Sequence, residues 1–212
     1  MCGRYYVDDG TFREIERLVR EIDARSLHSG GRVESTDEKT IGQITSIEGD
    51  VYPSQEAVVL SGKGQNLMIE RMRWGFVQQE RKNLLINARV ETVLERNMFR
   101  DSVMHRRCVV PARHFYEWDA SKNKVSFMRR DDSILYMAGF YRQFQGEDRF
   151  VILTTESNTS VASVHERMPL ILEAPEVEDW IFEDTCLDSL LHKKPIQLAK
   201  SQEYKQMSLF DL

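Results

Sequence analysis

Apolar side chains recur at helical spacing near the start of the chain. Phe12, Ile15, Leu18, Val19 and Ile22 share one helical face, with Asp8, Asp9 and Thr11 ahead of them as N-cap candidates. Before that helix, Met1–Val7 reads as a strand. From Arg25 to Gly49 the pattern dissolves into polar, Gly- and Ser-rich sequence, which predicts a loop. Short β-type runs follow at Ala57–Leu60, Leu67–Phe76, Leu84–Val90, Cys108–Pro111, Phe115–Trp118, Val125–Met128, Leu135–Tyr141, Phe150–Thr155 and Met168–Leu172. Turn signals such as Ser61-Gly62-Lys63-Gly64 and Gln145-Gly146-Glu147-Asp148 separate them. Helices are expected at Glu95–His105, Ser157–Ser163 and Glu176–Phe182. The pattern defines an α+β chain: a strongly bent, barrel-like antiparallel β-sheet with flanking helices. One catalytic domain is expected over residues 1–192. A tail follows over 193–212, polar at first and abruptly apolar near its end.

Composition narrows the class. A chain of 212 residues suits one domain, and 41% hydrophobic with 30% charged residues is an ordinary balance for a packed core. The net charge of −5 argues against a polyanion partner until its distribution is considered. From Arg71 to Arg113 ten basic residues meet four acidic ones, a local +6, which leaves nineteen against thirty, or −11, elsewhere. A basic stripe on an acidic chain points to one local anionic ligand; a solvated arginine-rich face is the plainer reading. Three cysteines, Cys2, Cys108 and Cys186, with no C-x-x-C, exclude a disulfide framework and indicate a reducing, cytoplasmic setting. The start carries no apolar run of the signal-peptide kind, and nothing approaches the roughly 18 apolar residues of a spanning helix. No membrane partner is expected.

Cys2 is the first candidate for chemistry. Removal of Met1, by an aminopeptidase or by the protein itself, would leave an α-amine and a thiol on one residue. These titrate near about 7.7–8.0 and 8.5, so both are nucleophilic near neutrality. A 1,2-aminothiol captures an aldehyde in two steps: the amine forms a Schiff base and the sulfur closes a thiazolidine ring. The plainer reading is a small buried hydrophobe at the start of a strand. Asn87, after the apolar run Leu84-Leu85-Ile86, is either a turn former or a neutral amide that positions a nucleophile. Glu117 lies between aromatics in Phe115-Tyr116-Glu117-Trp118. It is either exposed on a strand or desolvated, and desolvation would make it a proton carrier near neutral pH. His165, in His165-Glu166-Arg167-Met168-Pro169, is a structural or a catalytic imidazole. Together these four would supply nucleophile, acid–base pair and orienting group. His105, Cys108 and His114 form the only competing metal constellation. Cys108 falls in a core-strand pattern and no second ligand pair has zinc spacing, so neither metal nor cofactor is expected.

These segments together resemble the SOS-response-associated peptidase family, the abasic-site crosslinking proteins. The resemblance runs in order through Met1-Cys2-Gly3-Arg4-Tyr5, Met72-Arg73-Trp74-Gly75, Asn87-Ala88-Arg89-Val90-Glu91-Thr92 and Arg107–Ala112 on to Phe115–Trp118. It continues with Ala138-Gly139-Phe140, then Thr154, Thr155 and Asn158, and ends on His165–Pro169, so that it covers roughly Met1 to Trp180. It implies autopeptidase removal of Met1 and a covalent, lyase-like thiazolidine adduct between Cys2 and the ring-opened sugar of an abasic site in single-stranded DNA. Cys2, Asn87, Glu117 and His165 match the family's catalytic positions. Arg4, Arg73 and Arg89 look like its phosphate-contacting arginines, and Pro53, Trp74 and Trp118 like its apolar wedge. Guanidinium on the backbone with aromatic faces on the bases is the usual arrangement for single strands.

Three departures stand out. Asp50 replaces an Asn, Gln78 stands where a proline commonly ends the Trp-Gly segment, and Arg113-His114 replaces a stretch containing Gly. Two other readings remain: an N-terminal-nucleophile amidohydrolase using Cys2 against an amide, and a single-strand binding module without chemistry. In the tail, Gln206-Met207-Ser208-Leu209-Phe210 resembles the short bacterial sliding-clamp-binding motif. Leu209 and Phe210 would fill an apolar cleft, with Gln206 at its edge and Lys193–Lys205 as a tether.

Overall fold

The computed structural model describes residues 2–28, 48–78 and 81–202 of the chain. Most of the loop expected over Arg25–Gly49, and the tail residues Gln206, Leu209 and Phe210, lie outside the described residues.

Strand β1 (Tyr5–Val7) leads into helix α1 (Asp9–His28). The turn between them is a reciprocal cap. Asp8 Oδ1 accepts from the Thr11 N–H at 2.7 Å, and Thr11 Oγ1 accepts from the Asp8 N–H at 3.2 Å. The face read from the sequence, Phe12, Ile15, Leu18, Val19 and Ile22, is buried. The chain continues through β2 (Gly49–Val51), β3 (Glu56–Lys63), β4 (Asn66–Trp74), β5 (Phe76–Gln78), β6 (Arg81–Leu85) and β7 (Asn87–Arg89). Helix α2 (Asn97–His105) precedes β8 (Arg107–Ala112), β9 (His114–Trp118), β10 (Lys124–Met128), β11 (Leu135–Phe144) and β12 (Glu147–Glu156). Last come β13 (Arg167–Pro169), β14 (Ile171–Leu172), α3 (Glu176–Phe182), α4 (Leu187–Leu191) and β15 (Ala199–Gln202).

Five strands close on themselves in the order β12-β4-β3-β8-β11 and back to β12. A barrel has no unpaired edge of its own, and its interior is the core. A second sheet, β15-β10-β9-β1-β2, lies beside it and carries the start of the chain. The barrel-like α+β architecture is as expected, but the pairing is not purely antiparallel: β12 runs parallel to both β4 and β7. Helix α3 is fastened to the barrel by Trp180, which is fully buried and donates from Nε1 to the Cys108 carbonyl at 3.0 Å. Arg107, also buried, donates to the carbonyls of Met104 and Trp180 and pairs with Asp184.

Several expectations change. Leu67–Phe76 is interrupted at Gly75, whose φ of +108° ends β4 and starts β5. Ser157–Ser163 forms turns rather than a helix. Asn158 accepts from the Ser160 N–H and donates to the carbonyls of Pro195 and Ile196, so its amide competes with helical hydrogen bonding. Those two bonds also show that residues 193–202, placed in the tail above, pack on the domain. Leu198 is buried and β15 pairs with β10. Among the described residues, no helix is long and apolar enough to cross a membrane.

Candidate functional site

Cys2 lies just ahead of β1 and is fully buried. β1 pairs antiparallel with β9, Tyr5 opposite Phe115, and the Tyr116 N–H donates to the Arg4 carbonyl at 3.0 Å. That register carries Cys2 to the Glu117–Trp118 end of β9. Asn87 reaches the same place from the barrel. It opens β7, opposite Ile152 of β12, and its Nδ2 donates to the Cys2 carbonyl at 2.9 Å. The Asn87 side chain is buried, and its Oδ1 has no hydrogen-bond partner among the described residues. Leaving such a buried acceptor unpaired carries a free-energy cost.

Glu117 is only 3% exposed, so the exposed alternative falls and the desolvated one holds. Burial raises its pKa, while the N-terminal ammonium and His165 oppose the rise. Burial also pushes the Cys2 thiol far above its ordinary value, and the negative charge of Glu117 adds to that. Cys2 is therefore a thiol at neutral pH, and its proton has to leave as the sulfur reacts. His165 is half-buried at the end of the Asn158 turns. Its Nδ1 lies 2.9 Å from the Arg167 N–H and 3.1 Å from the Arg167 carbonyl. The neutral ring accepts from the N–H through Nδ1 and keeps its proton on Nε2. The Arg167 N–H thus fixes the orientation of the neutral ring.

An ion pair between buried Arg167 and surface Glu91 ties these strands together. Arg167 of β13 makes two bonds to Glu91, at 2.6 and 2.9 Å, and a third to the Thr154 carbonyl. Glu91 sits in the helical turn directly after β7, so the clamp fixes the segment carrying Asn87 against the one carrying His165. It also holds the Glu91 carboxyl below its usual range.

The residues assigned to DNA separate. Trp118 is 36% exposed and Pro53 is half-buried in the turn between β2 and β3. Trp74 is a correction. It is fully buried, packs on Tyr5 and Phe150, and donates from Nε1 to the Ile86 carbonyl. A ring with no accessible face cannot stack on a base. Arg89 is exposed. Arg73 is occupied within the chain by Glu147, by the Ser54 carbonyl at 2.7 Å and by Glu56 at 3.3 Å. The basic stripe is likewise divided: Arg107 is buried, and Arg106 and Arg113 pair with aspartates, while Arg71, Arg89, Arg96 and Arg100 remain exposed. Cys108 is buried in β8, and the described residues hold no cluster of His, Cys, Asp and Glu fit for a metal. Sequence reasoning missed Tyr52, 40% exposed and 4.8 Å from the Arg4 guanidinium. Its only signal was an aromatic next to Pro53.

Beside the barrel, the flanking sheet buries Cys2 with its carbonyl held by Asn87, Glu117 within electrostatic reach of its sulfur and His165 within reach of Glu117. The profile of the SOS response associated peptidase (SRAP) family matches residues 1–208, and the chain belongs to that family. It is 30% identical over 227 residues to the abasic site processing protein YoqW of Bacillus subtilis, covering 99% of this chain and 93% of that one. It is also 30% identical over 195 residues to the abasic site processing protein YoaM of Bacillus subtilis, covering 85% and 79%. A crystal structure of a protein from Bordetella bronchiseptica shares the fold with a TM-score of 0.71, at 20% identity over 96% of this chain and 100% of that one.

Proposed function

We propose that this protein processes abasic sites in single-stranded DNA by capturing the ring-opened sugar on Cys2. The convergence of Asn87 and a desolvated Glu117 on Cys2 carries the reading, and the names of the relatives agree with it. Hydrolysis of the Met1–Cys2 bond consumes one water and frees the α-amine. Asn87 holds the Cys2 carbonyl, and Glu117 passes a proton to the leaving nitrogen. The amine then adds to the sugar aldehyde and expels water as the imine forms. The Cys2 sulfur attacks the imine carbon; its proton passes through Glu117 or His165 to the nitrogen, and the ring closes with no redox step. Arg4 and Arg89 contact phosphates and Trp118 with Pro53 forms the wedge; in this reading Arg73 contributes only by exchanging a carboxylate for a phosphate. The tail residues Gln206, Leu209 and Phe210 dock on the replication sliding clamp and raise the local concentration near exposed single strands.

Incubation with an abasic oligonucleotide, without borohydride, tests the chemistry. A heat-stable adduct with the mass of protein lacking Met1 is expected. Cys2→Ser keeps an amine and should yield no such adduct, whereas Cys108→Ala should yield it normally. An adduct from Cys2→Ser at wild-type yield would remove sulfur from the mechanism. Absence of any wild-type adduct would leave the amidohydrolase or the plain binding module.

A further inference from the structure

Arg4 stands in a cage of rings, its guanidinium carbon 4.8 Å from the Tyr52 centroid, 5.1 Å from Trp118 and 5.4 Å from Tyr116. One carboxylate organises that cage. Asp50 of β2, opposite Tyr6 of β1, accepts from Arg4 Nη1 at 3.2 Å, from the Tyr116 hydroxyl at 2.8 Å and from the Tyr52 hydroxyl at 3.3 Å. Tyr116 has a single proton and gives it to Asp50, so its 2.8 Å contact with His114 Nε2 has the imidazole as donor. Burial, which holds the His114 pKa below its usual value, suits that neutral ring.

The Arg4–Asp50 pair differs in kind from the Arg167–Glu91 pair. Arg167, its side chain 8% exposed, makes two short bonds to Glu91, whose side chain is 44% exposed, so the bidentate geometry and the buried guanidinium make that pair a lock. Arg4 makes one bond of 3.2 Å, both side chains are about a quarter exposed (24% and 27%), and Arg4 Nε has no hydrogen-bond partner among the described residues. A guanidinium held by one long bond at a partly exposed edge exchanges partners readily.

We propose that Asp50 is a specificity-setting residue that competes with DNA phosphate for Arg4. Its carboxylate keeps the cage assembled in the free protein and neutralises Arg4 there. An arriving phosphate has to take the guanidinium from Asp50, or share it against the repulsion of the carboxylate. Reversible grip on undamaged strands is thereby weakened, and retention depends on capture at Cys2. The inference rests on single-stranded DNA being the ligand, as proposed above.

Equilibrium binding of an undamaged single-stranded oligonucleotide, measured over a range of salt, tests it. Asp50→Asn removes the charge and keeps one of the two acceptor oxygens, since Arg4 binds Oδ2 and Tyr116 binds Oδ1. It should tighten binding about two- to fivefold, the scale of a partly exposed ion pair. It should also steepen the salt dependence by roughly 0.7, one additional phosphate. Asp50→Ala should gain in the same direction if its melting temperature matches the wild type. Neither gain should survive in the Arg4→Ala background, and Asp188→Asn, which removes an equally negative but exposed residue of α4, should do nothing. The inference is overturned if Asp50→Asn binds no tighter than wild type, or if its gain persists without Arg4. Failure of the wild type to bind any single strand at low salt would instead overturn the DNA reading, and this inference with it.

Discussion

Burial raises the Glu117 pKa, so the folded chain holds that proton more tightly than the unfolded chain does. Stability therefore falls as pH rises from the ordinary glutamate value, about 4.3, through the raised folded value. Above the folded value the whole penalty remains. Glu117→Gln removes it, and melts should show the variant more stable than wild type at pH 8, with the advantage gone below about pH 4. A variant that loses stability equally at every pH would mean that the carboxylate matters only for its contacts. The same substitution, and His165→Ala, should slow adduct formation by about 10²–10⁴-fold while leaving affinity for undamaged strands nearly unchanged. Timed quenching of the crosslink beside a binding isotherm separates the two. At this scale the ordered motifs singled out Cys2, Glu117 and Asn87, and the fold brings Asn87 to the Cys2 carbonyl and buries Glu117. Trp74 was not legible. A tryptophan in an alternating strand suits base stacking and core packing equally, and only the closed barrel decides which face it presents.

Among the elements, strands were readable where side chains alternate or cluster and unreadable where pairing alone makes them. β2, with the sequence Gly-Asp-Val, has no strand signature, yet it carries Asp50 to Arg4 because β1 offers it an edge. The helix expected over Ser157–Ser163 yielded to Asn158, whose amide bonds lie 37 and 38 residues along the chain and leave no local trace. The Glu91–Arg167 clamp spans 76 residues and was equally hidden. Its removal is informative, since it holds β7 against β13. Glu91→Ala should destabilise the fold by about 1–3 kcal/mol, the range for a lost hydrogen bond to a charged group. It should also slow adduct formation more than that destabilisation accounts for at temperatures where the variant stays folded. Melting and crosslinking rates on the same preparation decide it: a normal rate in a less stable protein would make the clamp purely structural. A second test concerns barrel closure. A Cβ on Gly139 of β11 would stand 2.7 Å from the Val151 carbonyl oxygen, backbone that cannot swing away. Gly139→Ala should lower the melting temperature sharply, and an unchanged melt would show that β11 and β12 separate more easily than their register implies.

For the whole molecule, the sequence's division at residue 192 misplaced the end of the packed chain. The polar stretch after Lys193 looks like a tether because its anchors are sparse: Ile196 packs on the core, Leu198 is buried, and Gln202 donates to Asp119 at 3.1 Å beside Trp118. Polarity alone cannot separate an edge strand from a solvated linker. Burying a Leu side chain contributes about 1.5–3 kcal/mol, and truncation after Lys193 would also remove both carbonyl acceptors of Asn158 and the β15–β10 ladder. Truncation after Lys193 should therefore lower the melting temperature by many degrees and impair crosslinking, through the turn that leads to His165. Truncation after Gln202 keeps every one of those contacts and should leave melting and crosslinking unchanged. If Gln206, Leu209 and Phe210 dock on the sliding clamp, that second truncation should still abolish capture on immobilised clamp, and so should Leu209→Ala with Phe210→Ala in the full chain. Clamp capture that survives both changes would place the contact on the domain itself and sink the docking proposal. Loss of stability on truncation after Gln202 would show that the last residues serve the fold rather than a partner.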